Sequence, residues 1–305
     1  YDRMAEELDC PYLAANAVGL EDGQAYFDRY AVLEKGGLRV AVIGFTNANV
    51  KSWISKDKYE GMDFVPVDSL AASLVSEVRR REKPDVVILA VHCGLGEADV
   101  PSIENNAMYL AAHVPGIDAV IAAHDHRRTA VKIMGADGDS VCVVESGSKA
   151  GAVSRLSISA VKKGGRMVSL SVEPGVSDVL HLKPCERYMS EFGQDWQTVY
   201  DFSNRTIGRL TAPLDLSYRQ DRRSDYLALI HYVQLSCPGV DVSFTAPLVS
   251  EGVMPAGELR FNDLFTLYRF ENLLYVVEMT GKEIKDYLEG AYDKRITGSD
   301  YLYNY

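Results

Sequence analysis

No run of about 18 apolar residues occurs in this chain of 305 residues, so no membrane-spanning helix is expected from it. The first residues also lack the basic stretch and apolar core of a secretory signal peptide. Cationic surface is scarce. Lys and Arg number 32 against 43 Asp and Glu, a formal net charge of -11, which argues against a nucleic-acid polymer as partner because neutralising a phosphate backbone needs basic patches. The short runs Arg79-Arg80-Arg81 and Lys162-Lys163 read as solvated faces. Cysteines are few and scattered. Cys10, Cys93, Cys142, Cys185 and Cys237 are five in all, an odd and widely spaced set that implies neither a disulfide framework nor a CxxC metal site. Histidines number only six, and that scarcity makes their positions informative.

The chain has no shortage of core material. At 47% hydrophobic and 25% charged residues, it has the composition of an ordinary globular protein of about two domains. Leu38–Phe45, after the turn residues Gly36-Gly37, and Asp85–Val91 are apolar runs of strand length. Between them Leu70, Leu74 and Val78 recur at helical spacing, with Asp68 placed to cap the helix. Strand, helix and strand thus alternate as in a parallel α/β unit. Cys10–Asn16 reads as an earlier strand, Ser102–His113 as a helix with His113 at its C-terminal dipole, and Val141–Val144 as a further strand. Val153–Ala160 and Met167–Val172 alternate around Lys162–Gly165, the pattern of a hairpin with one wet face. Beyond Pro184, a helix places Tyr188, Phe192 and Trp196 on one side. A second domain follows, with a helix over Asp225–Leu235, strands at Val240–Phe244 and Leu273–Val277, and a capping box at Thr280–Glu283. That box opens a helix with Ile284, Tyr287, Leu288 and Ala291 turned inward.

The histidines fall where chemistry is expected. Ala119–Ala123 is another buried-strand run, and it stops at His124-Asp125-His126, while Asp85–Val91 stops at His92-Cys93-Gly94. In an open α/β sheet, ligands gather beyond the carboxyl ends of the strands. A lone histidine after a strand is more often a hydrogen-bonded loop residue than a ligand. Three of six histidines at the ends of the two most apolar strands form a stronger pattern, that of a metal site. Asp125 reads as a turn-former or as a partner for an imidazole N–H.

Several phrases together resemble a known family. Gly61–Phe64, Arg81–Asp85, His92–Gly94, Val114–Asp118 and His124–His126 are similar to the calcineurin-like metallophosphoesterase domain of the 5'-nucleotidase superfamily. Leu229–Leu235, Leu267–Asn272 and Met279–Glu289 resemble that superfamily's C-terminal domain. Within it, the bacterial 2',3'-cyclic-nucleotide 2'-phosphodiesterase/3'-nucleotidases look most alike. The resemblance implies an α/β fold: a metallophosphoesterase β-sandwich flanked by helices (1–182), a linker helix (183–204) and a smaller α/β substrate-binding domain (205–305). It implies a metal-dependent hydrolase of nucleotide phosphoesters, a periplasmic or secreted location, and two divalent ions, whether zinc, manganese, iron or cobalt. By position, His92 and His124 would bind one ion and His126 the other. Phe270 and Asn272 match a Phe-x-Asn pattern that meets the nucleobase in the family, although Phe270 also reads as a core aromatic between Leu267 and Leu273.

The chain departs from the family pattern too. The Asp-x-His motif, the bridging Asp and the Asn-His-Glu or Asn-His-Asp turn are not found, nor is a second base-stacking aromatic, and Ala123 stands where Gly usually precedes the His-x-His pair. The expectation is therefore an internal fragment of a longer enzyme, inactive alone, whose own catalytic groups lie upstream of residue 1. The alternative is a non-catalytic remnant that binds a nucleotide or one metal.

Overall fold

The structure, a computed structural model, describes residues 2–217, 224–249, 251–269 and 273–296. The chain divides into two compact units, residues 1–182 and 183–304. The first begins with α1 (Asp2–Glu7) and β1 (Ala17–Gly19), then β2 (Tyr30–Lys35), β3 (Leu38–Phe45), α2 (Val50–Trp53) and β4 (Met62–Phe64). Next come α3 (Val67–Glu82), β5 (Val86–Val91), α4 (Ala107–His113), β6 (Ala119–Ile121), β7 (Arg128–Met134) and β8 (Ser140–Ser146). The long hairpin β9 (Ala152–Lys163) and β10 (Arg166–Asp178) ends the unit.

Its centre is a six-stranded sheet in the order β2-β3-β5-β6-β8-β7. The inner strands β3, β5, β6 and β8 are parallel, and the edge strands β2 and β7 pair antiparallel. Gly36 and Gly37, at φ 60° and 74°, make the two-residue turn from β2 to β3 with the left-handed backbone that such hairpins require. Because period-2 side chains alternate between faces, the unbroken apolar run of β5 feeds two cores. Val87, Leu89 and Val91 pack in a cluster with Leu74 and Val78 of α3 and Leu110 of α4. Val86 and Ile88 join Ala119 and Cys142, covered by Leu156 and Ile158 of β9 and Leu170 and Val172 of β10. The sheet is thus sandwiched between helices and a hairpin. Its parallel strands send their carboxyl ends to one edge, and His92 and His124 follow there.

The second unit contains α5 (Glu186–Ser203), β11 (Thr206–Leu210), β12 (Leu214–Asp215), α6 (Asp225–Leu235), β13 (Val253–Met254), β14 (Gly257–Arg260), α7 (Leu264–Leu267) and α8 (Gly281–Ile296). β11 pairs with β14 and β12 with β13, both antiparallel. Ser224 caps α6 by accepting from the Leu227 N–H at 3.3 Å, as Ser does for an orphan first-turn donor. The core is small: Leu216, Tyr226, Met254 and Leu267 are buried together.

Several sequence expectations are corrected. Cys10–Asn16 is not a strand; Leu13 makes a single bridge to Asp28, and the fully buried Asn16 amide ties Thr46 and Val65. Asp68 is not the cap of α3 but lies within its first turn, where a carboxylate favours the dipole. α4 starts at Ala107 rather than Ser102, because the Ser102 hydroxyl accepts from the N–H groups of Glu104 and Asn105 and holds a turn. β7 was not anticipated. Val240–Phe244 and Leu273–Val277 carry no strand pairing among the described residues. The capping box at Thr280 and Glu283 forms as expected, yet Tyr287 and Leu288 are exposed, with no described sheet against that face of α8. Phe270 and Asn272 lie outside the described residues.

Candidate metal-binding site

β5 and β6 are parallel neighbours, with Ala90 level with Ile121. The chain leaves β5 through His92, whose N–H donates to the Phe45 carbonyl at 3.0 Å and so continues the ladder with β3. Cys93 is fully buried, and burial pushes its thiol up to about 12, which makes it a core residue and not a nucleophile. Gly94 then passes so close to Asn105 that a Cβ would lie 2.2 Å from the Asn105 Oδ1. Only glycine fits there, which explains the His-Cys-Gly order. On one side of His92 opens a cavity of about 340 Å³, with Tyr12, Phe27, Phe45, Tyr59 and Phe64 among its lining residues.

After β6, the Ala123 N–H donates to the Cys93 carbonyl at 3.2 Å and joins the two loops. The polypeptide then turns sharply, with φ of 107° at His124 and 60° at His126. His126 lies in the left-handed region that histidine tolerates, but 107° is outside that well and costs roughly 1–3 kcal/mol. This turn brings the His124 ring to 5.4 Å from the His92 ring, centroid to centroid. Trp53 of α2 stacks on the His124 ring at 5.0 Å. His124 Nε2 lies 2.8 Å from Glu104 Oε1, while the Asn49 side-chain amide donates to Glu104 Oε2 at 3.0 Å. Glu104, which the sequence reading passed over, is therefore the carboxylate that orients an imidazole, and Asp125 is not. Asp125 Oδ2 accepts from the Leu95 N–H at 3.0 Å and so spans the two loops.

The structure brings His92 and His124 together, with His126 exposed on the same turn. Burial, then the neighbouring His124 and His126, holds the His92 imidazole below its ordinary pKa. That keeps it neutral, the form that coordinates a metal. With Nε2 facing Glu104, His124 has Nδ1 free for an ion, and a carboxylate behind a ligating imidazole is the usual support for such a ligand. This pair fits part of a coordination sphere. Among the described residues, no group of three or more His, Cys, Asp or Glu side chains is placed to hold a metal ion. Glu97 and Asp99, the acidic residues nearest in sequence after His92, are exposed.

Glu145 was also passed over. It ends the apolar run of β8, is 1% exposed, and accepts from the Arg127 N–H at 3.2 Å. Burial first, and then its hydrogen bond to the Asp125 carboxyl, push its carboxyl up to about 8. A charged residue closing a four-residue buried run, Val141–Val144, was the available signal.

Residues 206–304 match the family model described as 5'-nucleotidase, C-terminal domain. Residues 15–142 match a second model, described as bacterial capsule synthesis protein. Over the whole length, the chain is 20% identical to a 5'-nucleotidase of Vibrio vulnificus, across 98% of this chain and 60% of that protein. It is 23% identical to a 2',3'-cyclic-nucleotide 2'-phosphodiesterase/3'-nucleotidase of Salmonella typhimurium, across 92% of this chain and 50% of that one. The crystal structure of a 5'-nucleotidase precursor from Thermus thermophilus superposes with a TM-score of 0.58 at 17% identity, over 84% of this chain and 52% of that chain. That last likeness is one of fold. The chain spans about half the length of the curated relatives it matches, and those relatives are nucleotide phosphoesterases. No helix among the described residues is long and apolar enough to cross a membrane.

Proposed function

We propose that the chain is the part of a nucleotide phosphoester hydrolase that carries His92, His124 and His126 as metal ligands, the first two for one divalent ion and the third for another. The observation behind this reading is the convergence of the His92 and His124 rings, 5.4 Å apart, beyond neighbouring parallel strands. The names of the relatives support the substrate class, a 5'-nucleotide or a 2',3'-cyclic or 3'-nucleotide, and a periplasmic or secreted location belongs to the same family resemblance. When bound, a pair of divalent ions supplies a hydroxide at neutral pH and neutralises charge developing at phosphorus. The chain's own residues orient the ligands: Glu104 fixes the His124 tautomer and Trp53 packs its face. Phe270 and Asn272 are proposed to stack on and hydrogen-bond to the nucleobase. The chain that follows them, from Leu274 to Met279, lines a cavity of about 500 Å³ with Val240–Phe244.

A second reading has its own observation. Because the described residues hold no group of three metal-binding side chains, the 305-residue chain can bind a single ion or a nucleotide without turnover. One experiment separates the two. Zinc binding is measured by calorimetry for the chain and for His92→Ala, His124→Ala, His113→Ala and His231→Ala, alongside phosphate release from 3'-AMP and 2',3'-cyclic AMP. Loss of zinc in the first two variants only is expected, since His113 is held by the Tyr109 carbonyl and His231 by Ser243. Chelator-sensitive phosphate release by this chain, or by a longer chain that adds the missing metal motifs, supports the hydrolase, and zinc binding without release by either supports the remnant. Equal zinc uptake by all four variants would overturn the ligand assignment.

A further inference from the structure

A third parallel strand also sends its carboxyl end to the histidines. β3 ends at Phe45, and the residues that follow it, Thr46–Asn49, are gripped by side-chain amides. The fully buried Asn16 donates to the Thr46 carbonyl at 3.0 Å and accepts from the Thr46 N–H at 2.9 Å. Asn47, 1% exposed, accepts from the Asn49 N–H at 2.9 Å and donates to the Glu104 carbonyl at 3.1 Å. Asn49 donates to Glu104 Oε2 at 3.0 Å, while Glu104 Oε1 lies 2.8 Å from His124 Nε2. An ionised carboxylate only accepts, so it is the amide nitrogen of Asn49 that must face it.

This use of Asn49 goes against its place in the chain. It occupies the N-cap of α2, where Asn is preferred because its side-chain oxygen satisfies a first-turn N–H. Here no such side-chain bond is made. The side chain is turned instead to a carboxylate 55 residues further along. A local rule broken without local gain points to a use elsewhere. Four residues on, Trp53 stacks on the His124 ring, so the single turn of α2 acts on that imidazole twice, by stacking and through Glu104. We propose that Asn49 is a positioning residue: by donating to Glu104 Oε2 it holds the carboxylate with Oε1 against His124, and so keeps the two imidazoles side by side. Its requirement is for an N–H donor. Aspartate has the same shape and caps a helix equally well, but it lacks the donor and sets a second carboxylate against Glu104.

The part of the test that uses metal rests on the proposed function; the part that uses ring contacts does not. The probes are zinc affinity by calorimetry and the ring-proton NOE between His92 and His124 in the metal-free chain. Asn49→Asp and Asn49→Ala are each expected to lose the NOE and about 10–100-fold in zinc affinity, the usual scale for removing support behind a ligand. A residue that served only the turn would be replaced by aspartate without loss. An NOE kept in Asn49→Asp therefore overturns the proposal, whatever the zinc affinity, and an NOE missing from the parent chain overturns it too. Should Asn49→Asp fail to fold, Asn49→Ser, which caps a helix but is too short to reach Glu104, must lose the NOE while remaining folded; an NOE kept there overturns the proposal in the same way. If the parent shows the NOE but binds no zinc, the metal-ligand reading falls while the NOE comparison still decides this one.

Discussion

Asp118 shows how much one side chain settles at the start of β6. Its Oδ2 accepts from the Val87 N–H and from Arg79 Nη2, both at 2.7 Å, and Arg79 also donates to the carbonyls of Gly116 and Pro84. Burial pushes the Asp118 carboxyl up, and these donors oppose that shift. The upward shift has a definite sign: considered alone, a raised acid pKa contributes stability below the unfolded value that is lost as pH rises through the folded one. At neutral pH the contacts matter most. Asp118→Ala strands a guanidinium and a backbone donor and should cost about 2–3 kcal/mol in chemical denaturation; a change below measurement error would mean that water replaces the carboxylate. The sequence reading valued histidines for their scarcity, and the structure places His92 and His124 side by side. It missed Glu104 and Glu145 because their roles come from partners 20 residues away in sequence, at His124 and Asp125. No local pattern encodes such pairings.

Among the elements, those with a strong intrinsic period were legible. β3 and α6 run over the same residues that the apolar pattern marks, Leu38–Phe45 and Asp225–Leu235. β7 was not legible. Its residues are mostly exposed, and it becomes a strand only because β8 offers an open edge from Ser140 to Ser146. The start of α4 was misplaced because Ser102–Asn106 is used otherwise: Asn105 bridges Gly94, and the Asn47 side-chain amide donates to the Glu104 carbonyl. This segment, the His92 loop and the His124 turn therefore form one packed layer. Gly94→Ala is a direct probe of it. A methyl 2.2 Å from Asn105 Oδ1 must displace the segment that carries Glu104, at a cost of about 1–3 kcal/mol for overpacking. Zinc affinity should fall together with the melting temperature. A destabilised Gly94→Ala that binds zinc as tightly as the parent would show that the layer does not govern the ligands.

At the scale of the molecule, the two units differ in what holds them. Residues 1–182 pack Leu74, Val78, Leu89, Leu110 and Val120 into one core and Val86, Ile88, Ala119 and Cys142 into a second on the other face of the six-stranded sheet. Among the described residues of the second unit, Leu216, Tyr226, Met254 and Leu267 are buried in a single cluster, and the aromatics of α5, including Tyr188, Phe192 and Trp196, are exposed. Hydrophobic stabilisation scales with the apolar area removed from water, so the second unit should melt at the lower temperature. Two substitutions assign the transitions. Tyr226→Phe removes the hydroxyl that donates to the Leu267 carbonyl at 2.6 Å and leaves that carbonyl unsatisfied, about 1–3 kcal/mol. Leu74→Ala opens a cavity under the sheet, about 2–5 kcal/mol. Calorimetry should show the first lowering only the earlier transition and the second only the later one. A single transition that moves with both substitutions would mean that the chain unfolds as one cooperative body, and that the small cluster around Tyr226 draws its stability from elsewhere in the chain.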